Sequence, residues 1–398
     1  MRTALTISAS TLANACGVGW ADVRRALQSG TSGLRRNDFE PAAALDTFIG
    51  RIDALESSAL PDELMSYDCR NNRLAALCLE QDGFVGAVNA ARERYGRNRI
   101  GVFLGSSTSG ILSTELAFRA RAQAQEGRCR PLSPELYRDC HRMFATTAFV
   151  RTRLGLAGPA MTISTACSSS AKVFAAAART IDAGLCDAAV IGGVDTLALS
   201  TLFGFHSLEL LSRNPCRPFA ADRDGISIGE AAGFALLDPA GEGPVRLAGV
   251  GESSDAYHMS RPHPKGAGAA KAMRAALADA QLQPDDVDYI NLHGTASRAN
   301  DVAEDSAVVE VFGTRTASSS TKGWTGHALG AAGITEALVA AMALTDQWLP
   351  GTLNCTRVDP ALRCAIELRS QPRALRYALS NSFGFGGNNC SVILGLSQ

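Results

Sequence analysis

The chain predicts an α/β fold built from two related halves. Three observations carry this reading. Continuous apolar stretches such as Ile100-Gly101-Val102-Phe103-Leu104 and Ala188-Ala189-Val190-Ile191-Gly192-Gly193 read as strands buried on both faces. Alanine-rich stretches of helical character stand between such strands. The same order of elements recurs after residue 244, as expected of two βα halves packed together. At 398 residues the chain is long enough for one large or two fused domains.

Residues 3–8 give the first expected strand, and 20–29 an amphipathic helix ending near Gly30. Residues 31–65 read as irregular, rich in acids and interrupted by Pro41 and Pro61. A helical pattern returns over 68–96 through Leu74, Leu77, Leu79 and Val88. The strand 100–104 runs into a loop of small residues, Gly105-Ser106-Ser107-Thr108-Ser109-Gly110. Residues 112–150 carry two helical stretches around Pro131 and Pro134, with Arg119, Arg121, Arg128, Arg130, Arg138 and Arg142 among them. Met161, Ile163 and Thr165 make a short strand after Gly158-Pro159, and Ala171 to Ile181 a helix closed by Gly184. The strand 188–193 follows, then the polar loop 217–225, which reads as an ion-paired surface loop. Pro239-Ala240-Gly241-Glu242-Gly243-Pro244 has no hydrophobic period and is the expected boundary, dividing the chain into 1–242 and 243–398. Beyond it, helix 268–281 leads to strand 287–292 and the loop His293-Gly294-Thr295, echoing strand 100–104 and its loop. Residues 317–321 approach His327 and helix 328–345, echoing 160–184, and strands 376–382 and 390–396 close the chain.

Hydrophobic residues are 46% of the chain and charged residues 19%, ordinary values for a globular enzyme. A net charge of -1 argues against a nucleic-acid binder. The 11 cysteines are odd in number and show neither CxxC nor Cys/His metal spacing, so they read as free thiols in a reducing cytoplasm. No run is expected to reach the length of a membrane span. Thr3, Thr6, Ser8, Ser10 and Thr11 interrupt any N-terminal signal core.

The chemistry is expected at the junction Thr165-Ala166-Cys167-Ser168-Ser169-Ser170, a tight bend between strand and helix. A cysteine at a helix start is favoured as thiolate, the nucleophilic form, and the serines suit a first turn with unpaired N–H groups to cap. A buried structural cysteine is the alternative. His293 and His327 stand at a strand-to-loop and a loop-to-helix junction, positions that mirror Cys167. Asn381-Ser382-Phe383-Gly384-Phe385-Gly386-Gly387-Asn388 reads either as a tight hairpin or as backbone that approaches a ligand between aromatic walls.

Taken in order, these motifs resemble the β-ketoacyl-acyl-carrier-protein synthases of the type I/II class, a group that includes polyketide ketosynthases. The resemblance rests on Thr165-Ala166-Cys167-Ser168-Ser169-Ser170, Arg217-Pro218-Phe219 with Asp222-Arg223-Asp224-Gly225, Asn291-Leu292-His293-Gly294-Thr295, Lys322 with Gly326-His327 and Gly330-Ala331-Ala332-Gly333, and Asn381 through Gly387. It implies a thiolase-like fold, two related halves in five α-β-α-β-α layers, working as a dimer. It implies Cys167 as nucleophile, His293 and His327 as hydrogen-bond donors to an enolate, and backbone N–H groups of Cys167 and Phe385 as oxyanion hole. Lys322 and Glu304 match positions that support the histidines through an ion pair. Thr295 and Ser297 match positions that hold a pantetheine arm, and Phe383 and Phe385 a gate. Ser107 and Thr108 lie in the loop that shapes an acyl pocket. Asn291, Glu304, Glu336 and Asn381 resemble residues holding a monovalent cation in some members, with a plain polar network as the alternative.

The implied reaction is decarboxylative condensation of malonyl-carrier protein with a Cys-bound acyl chain, in fatty-acid or specialised polyketide or polyene synthesis. No cofactor is implied on the enzyme itself; substrates ride on the 4'-phosphopantetheine of acyl carrier protein. A homodimer is expected, with a heterodimer as alternative, and the arginines of 119–142 are a candidate docking patch for the acidic carrier. A thiolase would place a second catalytic cysteine where His327 or the C-terminal loop stands, and Cys390 lies beyond that loop. A non-elongating chain-length partner would lack the nucleophile. An initiating synthase of the other class would pair one histidine with an asparagine, where this chain has Gly326-His327.

Overall fold

The computed structural model describes residues 4–123 and 132–397. The main sheet contains β1 (Leu5–Asn14), β2 (Ile100–Gly105), β3 (Ala160–Ile163), β4 (Ala188–Asp195), β5 (Ala231–Asp238), β6 (Val245–Ser254), β7 (Tyr289–Asn291), β8 (Ala317–Ser319), β9 (Ala365–Ile366), β10 (Tyr377–Gly384) and β11 (Asn388–Leu396). Their spatial order is β9-β8-β7-β10-β11-β6-β1-β5-β4-β2-β3. Each half has parallel inner strands: β2 pairs β3 and β4, and β7 pairs β8 and β10. The halves meet where β1 runs antiparallel to β6, with Leu5 opposite Leu247. Residues 239–244 connect β5 to β6 at this seam.

The helices are α1 (Trp20–Ser29), α2 (Arg70–Leu79), α3 (Phe84–Tyr95), α4 (Ile111–Gln123), α5 (Ala145–Arg153), α6 (Ser169–Asp182), α7 (Leu199–Ser207), α8 (Ala267–Ala280), α9 (Arg298–Phe312), α10 (Lys322–Thr325) and α11 (Ala332–Asp346). Two of them, α6 and α11, pack against each other and against strands of both halves. Outside them lie the strands, and outside the strands α2, α3 and α5 on one side and α8 and α9 on the other. The result is five layers, α-β-α-β-α. Three apolar clusters fill the gaps: one holds α6 and α11, one faces α2, α3 and α5, and one faces α8 and α9.

Composition explains the central layer. A helix sandwiched between the strands of the two halves needs small residues, because backbone approaches it from both sides. The stretch Ala175-Ala176-Ala177-Ala178 of α6 is buried throughout. Glycine opens the crossing: a Cβ at Gly333 of α11 would fall 2.5 Å from the Ala171 nitrogen, and one at Gly105 would fall 2.3 Å from the Ser170 nitrogen. No side chain is tolerated at either distance.

Several expectations are corrected. The helical stretch 68–96 is two helices, separated by a turn in which Asp82 and Gly83 take positive φ. The irregular stretch 31–65 contributes Leu34–Arg36 and Phe48–Gly50, which join Ile228–Gly229 in a three-stranded sheet. The loop 217–225 is ion-paired at the surface only in part: Arg217 meets the exposed Asp222 at 3.4 Å and Asp224 at 3.2 Å, whereas Arg223 is only 1% exposed and sits between Asp301 at 3.3 Å and Asp359 at 2.8 Å. Phe219 beside it is fully buried, and its N–H donates to Asp301 at 2.9 Å. Charge in a sequence reads as solvent contact, and only the fold shows that these charges neutralise one another inside. The run Leu329–Asp346 does reach spanning length and apolarity, against expectation, but it is mostly buried as the core helix between the sheets. Arg128, Arg130 and Pro131 lie outside the described residues.

Candidate active site

Cys167 stands at the bend between β3 and α6. Ala166 before it has φ 52°, a left-handed conformation that turns the chain sharply and aims the next side chain away from the strand. The serines hold this bend and do not cap α6, contrary to expectation. Ser169 Oγ accepts the Thr165 N–H at 2.9 Å and donates to the Ala166 carbonyl at 2.5 Å. Ser168 Oγ donates to the Thr165 carbonyl at 2.9 Å. Ser170 Oγ reaches across the molecule and accepts the Ile334 N–H, in the first turn of α11, at 2.9 Å.

His327 comes from the far half, on the loop between α10 and α11. Its Nε2 lies 3.0 Å from Cys167 Sγ. The His293 ring sits edge-on to it, with centroids 5.3 Å apart, and one ligand atom from each of Cys167, His293 and His327 falls within 4.8 Å of the others. Phe383 flanks His293 at 5.9 Å. Lys322 is buried on α10. Its Nζ donates to the His293 carbonyl at 2.5 Å, lies 3.5 Å from His293 Nδ1, and forms an ion pair with Glu336. An ammonium group has only protons to offer, so it favours an unprotonated Nδ1 and leaves the proton on Nε2.

Electrostatics overturns the thiolate expectation. Burial pushes the Cys167 thiol up to about 12, against the charge of Lys322 and a hydrogen bond from the Phe385 N–H. Burial also drives both histidines well below the ordinary imidazole value, and Lys322 adds to the effect. The resting site therefore holds a neutral thiol beside two neutral imidazoles. A helix start favours an anion by roughly 0.3–1 kcal/mol, too little to offset full desolvation of a sulfur.

The support expected from a Lys322–Glu304 ion pair is divided between two carboxylates. Glu336 takes Lys322, whereas Glu304 accepts the backbone N–H of His293 at 2.8 Å and of Gly294 at 2.7 Å. Burial raises both acids to about 7. The four residues grouped for a cation separate across the sheet. Glu304 accepts from Asn381 at 3.2 Å on the α9 side. Asn291 shares its strand face with Tyr289, in the central cluster toward α11, where Glu336 lies. On that face Asn291 Oδ1 and Nδ2, Glu336 Oε2, and the hydroxyls of Ser380 and Ser382 have no hydrogen-bond partner among the described residues. Orphaned oxygens of this kind fit a hard cation better than a finished polar network.

A cavity of about 250 Å³ opens onto the three central residues. Thr295, Ser297, Phe383 and Phe385 line it, and the two hydroxyls lie 3.0 Å apart. Ser107 and Thr108 do not line it. Thr108 Oγ1 and Ser106 Oγ both donate to the buried Asp195 at 2.7 Å, and Ser107 Oγ donates to the Ala166 carbonyl at 3.1 Å. Their position thus steadies the bend under the nucleophile. Sequence reasoning missed Asp195, although an acid closing an otherwise apolar strand is a signal. It also missed Phe205, Asp255 and Arg261 at the cavity, which no local pattern marks.

Family models described as "Beta-ketoacyl synthase, N-terminal domain" and "Beta-ketoacyl synthase, C-terminal domain" match residues 72–242 and 245–356. The chain is 33% identical over 316 residues to 3-oxoacyl-[acyl-carrier-protein] synthase 2 of Staphylococcus aureus, covering 74% of this chain and 77% of that protein. It is 34% identical over 336 residues to the protein of that name from Vibrio cholerae, covering 79% and 78%. Among solved structures, a ketosynthase (ApeO) in complex with its chain length factor (ApeC) from Xenorhabdus doucetiae superposes with a TM-score of 0.91 at 40% identity, over 99% of this chain and 98% of that one. A β-ketoacyl synthase from Burkholderia phymatum superposes with a TM-score of 0.88 at 28% identity, over 100% of both chains.

Proposed function

From the premise that the chain belongs to the β-ketoacyl synthase family and is a ketosynthase acyltransferase, we propose the following division of labour within it. Cys167 Sγ attacks the carbonyl carbon of an acyl thioester, and His327 receives the thiol proton as the bond forms. The oxyanion lies against the N–H groups of Cys167 and Phe385. The carrier thiolate leaves, takes up the proton, and an acyl-Cys remains. Malonyl-carrier protein then enters the same cavity. Its C–C bond to the carboxylate breaks, carbon dioxide departs, and the electron pair becomes an enolate on the thioester oxygen. His293 Nε2–H donates to that oxygen, and His327 does so once its neutral ring has tautomerised from Nδ1–H to Nε2–H. The enolate carbon attacks the acyl-Cys carbonyl, the Cys167 sulfur leaves as thiolate, and a proton from solvent restores the thiol.

The observation that carries this reading is the 3.0 Å approach of His327 to Cys167 with His293 beside both, at the floor of one cavity. Neutral imidazoles suit it, since a base must be unprotonated to accept and an Nε2–H must be present to donate. Intact mass spectrometry after incubation with acyl-carrier protein tests it. An acyl adduct should form on the chain and be absent from Cys167→Ala; an adduct of equal yield on the variant would remove Cys167 from its role.

Thr295 and Ser297 would hold the amides of the phosphopantetheine arm, and Asn291 with Glu336 a monovalent cation behind the histidines. The carrier would dock at the cavity mouth, where Arg261 is exposed with no ionic partner among the described residues. We assign the second subunit to a chain of the same fold. Among the described residues the outer edge of β3 is unpaired, and it presents Met161 at 48% exposure, a surface another strand could extend. The 40%-identical chain belongs to a complex of a ketosynthase with its chain length factor, which favours a polyketide-type heterodimer over a homodimer. The chain-length-factor reading of this chain itself is disfavoured by Cys167. The cysteines among the described residues are free, which supports a reducing, cytoplasmic setting.

A further inference from the structure

Asn300 lines the catalytic cavity but takes no part in moving acyl or malonyl groups. It stands in the first turn of α9 and is half-buried. Ser297 lies three residues before it and Glu304 four after it, spacings that put all three on one side of the helix. Its Nδ2 lies 3.2 Å from Asp301 Oδ1 and 3.5 Å from Glu304 Oε2. Those neighbours fix which end of the amide is the nitrogen. Glu304 Oε2 already accepts the Gly294 N–H at 2.7 Å, and Oε1 accepts from the His293 N–H and from Asn381. Asp301 accepts the Phe219 N–H and faces Arg223. Carboxylates engaged in this way are acceptors, so they face the NH₂ end of Asn300 and turn its carbonyl end away. Among the described residues nothing donates to Asn300 Oδ1, and that oxygen is not sealed off from the cavity.

The groups beside it are of the opposite kind. The Thr295 and Ser297 hydroxyls lie 3.0 Å apart, so one spends its proton on the other and a single O–H is left for a ligand. The wall therefore offers one hydroxyl donor and, next to it, a carbonyl oxygen held in place and without a proton. A malonyl carboxylate or an enolate oxygen can only accept, and Asn300 Oδ1 repels both. A phosphopantetheine arm carries two secondary amides. An amide C=O turned to this wall suits the hydroxyl, and an amide N–H turned to it requires an acceptor. We propose that Asn300 Oδ1 accepts an amide N–H of the phosphopantetheine arm, an assignment that rests on the reading that thioester substrates enter this cavity on such an arm. Asp301 and Glu304 pre-orient the acceptor, so little freedom is lost when the arm arrives.

The test uses the full chain and acyl-pantetheine thioesters. In two analogues each amide N–H is replaced in turn by an ester oxygen, which keeps the carbonyl and removes the donor. The second-order rate of Cys167 acylation is followed by intact mass spectrometry in wild type, Asn300→Ala and Ser297→Ala. Wild type should acylate about fivefold or more slowly with one of the two esters than with the parent amide, the effect of one unmade hydrogen bond in a site built for it. Asn300→Ala should be slower on the parent and treat that ester and the amide alike within about twofold. Ser297→Ala should slow acylation and keep the wild-type preference. A merely structural role for Asn300 would lower every rate and leave the amide-to-ester ratio where it was. Equal ratios in wild type and Asn300→Ala overturn the proposal, and so does a wild type that accepts both esters as well as the amide. Absence of any adduct on wild-type Cys167 would instead defeat the reading on which the contact rests, and the contact with it.

Discussion

The two halves use one device to opposite ends. In each, a buried carboxylate grips the loop that follows the first inner parallel strand. Asp195 accepts the N–H groups of Ser107 and Thr108 after β2, and Glu304 those of His293 and Gly294 after β7. In the N-terminal half the side chains of that loop are consumed: Ser106 and Thr108 donate to the same carboxylate and Ser107 to Ala166. In the C-terminal half the grip stops at the backbone, and the His293 ring is left free to enter the cavity. The comparison teaches that one loop was spent on rigidity and its counterpart on chemistry. The nucleophile belongs to the rigid half, where a reacting sulfur gains most from fixed orientation.

Breaking the chemical half should have the largest effect. His327→Ala is expected to slow both acylation and malonyl decarboxylation, each by about 10²-fold or more, because its ring touches the sulfur and the enolate site. His293→Ala should lose decarboxylation by a similar factor while acylation falls far less. Single-turnover adduct formation and release of carbon dioxide separate the two steps, and equal losses in both variants would erase the distinction. The gripping carboxylates come next. Glu304→Gln should lower decarboxylation by about tenfold, since an amide cannot accept two N–H groups in place of both oxygens and the His293 loop must shift. Asp195→Asn should show chiefly as lost stability, about 1–3 kcal/mol in urea unfolding, since it leaves buried donors unpaired. If Asp195→Asn instead impaired decarboxylation alone, the rigid-half assignment would fail.

Smaller effects sharpen the electrostatic contrast. The absorbance difference between wild type and Cys167→Ala should show no thiolate at pH 8 and should grow only toward about 12. A plateau of thiolate near neutral pH would restore the thiolate expected from the helix start. The smallest expected change is Ser170→Ala. It removes the acceptor for the Ile334 N–H at the start of α11 and should cost about 1 kcal/mol, with acylation little altered.

Much of this was legible before any coordinates. The strand, bend and helix around Cys167, and the junction positions of His293 and His327, follow from local pattern, because a strand-to-helix turn leaves its own trace in residue type. The illegible parts are the ones that join distant segments. Lys322 carries no mark that its partner is Glu336 and not Glu304. Arg223 looks like any surface charge until Asp301 and Asp359 close around it. Ser170 looks like a cap for its own helix and instead caps another. Asn291 and Asn381 each look like ligands of one ion, yet the sheet puts their side chains on opposite faces.

The amino-acid order by itself determined the alternation of strands and helices around the reactive residues, which family motifs occur, and which three side chains are reactive in kind. Those properties depend on neighbours along the chain, within a turn or a strand. The tertiary structure decided how those side chains titrate and which partners they take. Desolvation and ion pairing depend on what surrounds a group in space, and that environment is assembled from segments as far apart as Cys167 and His327.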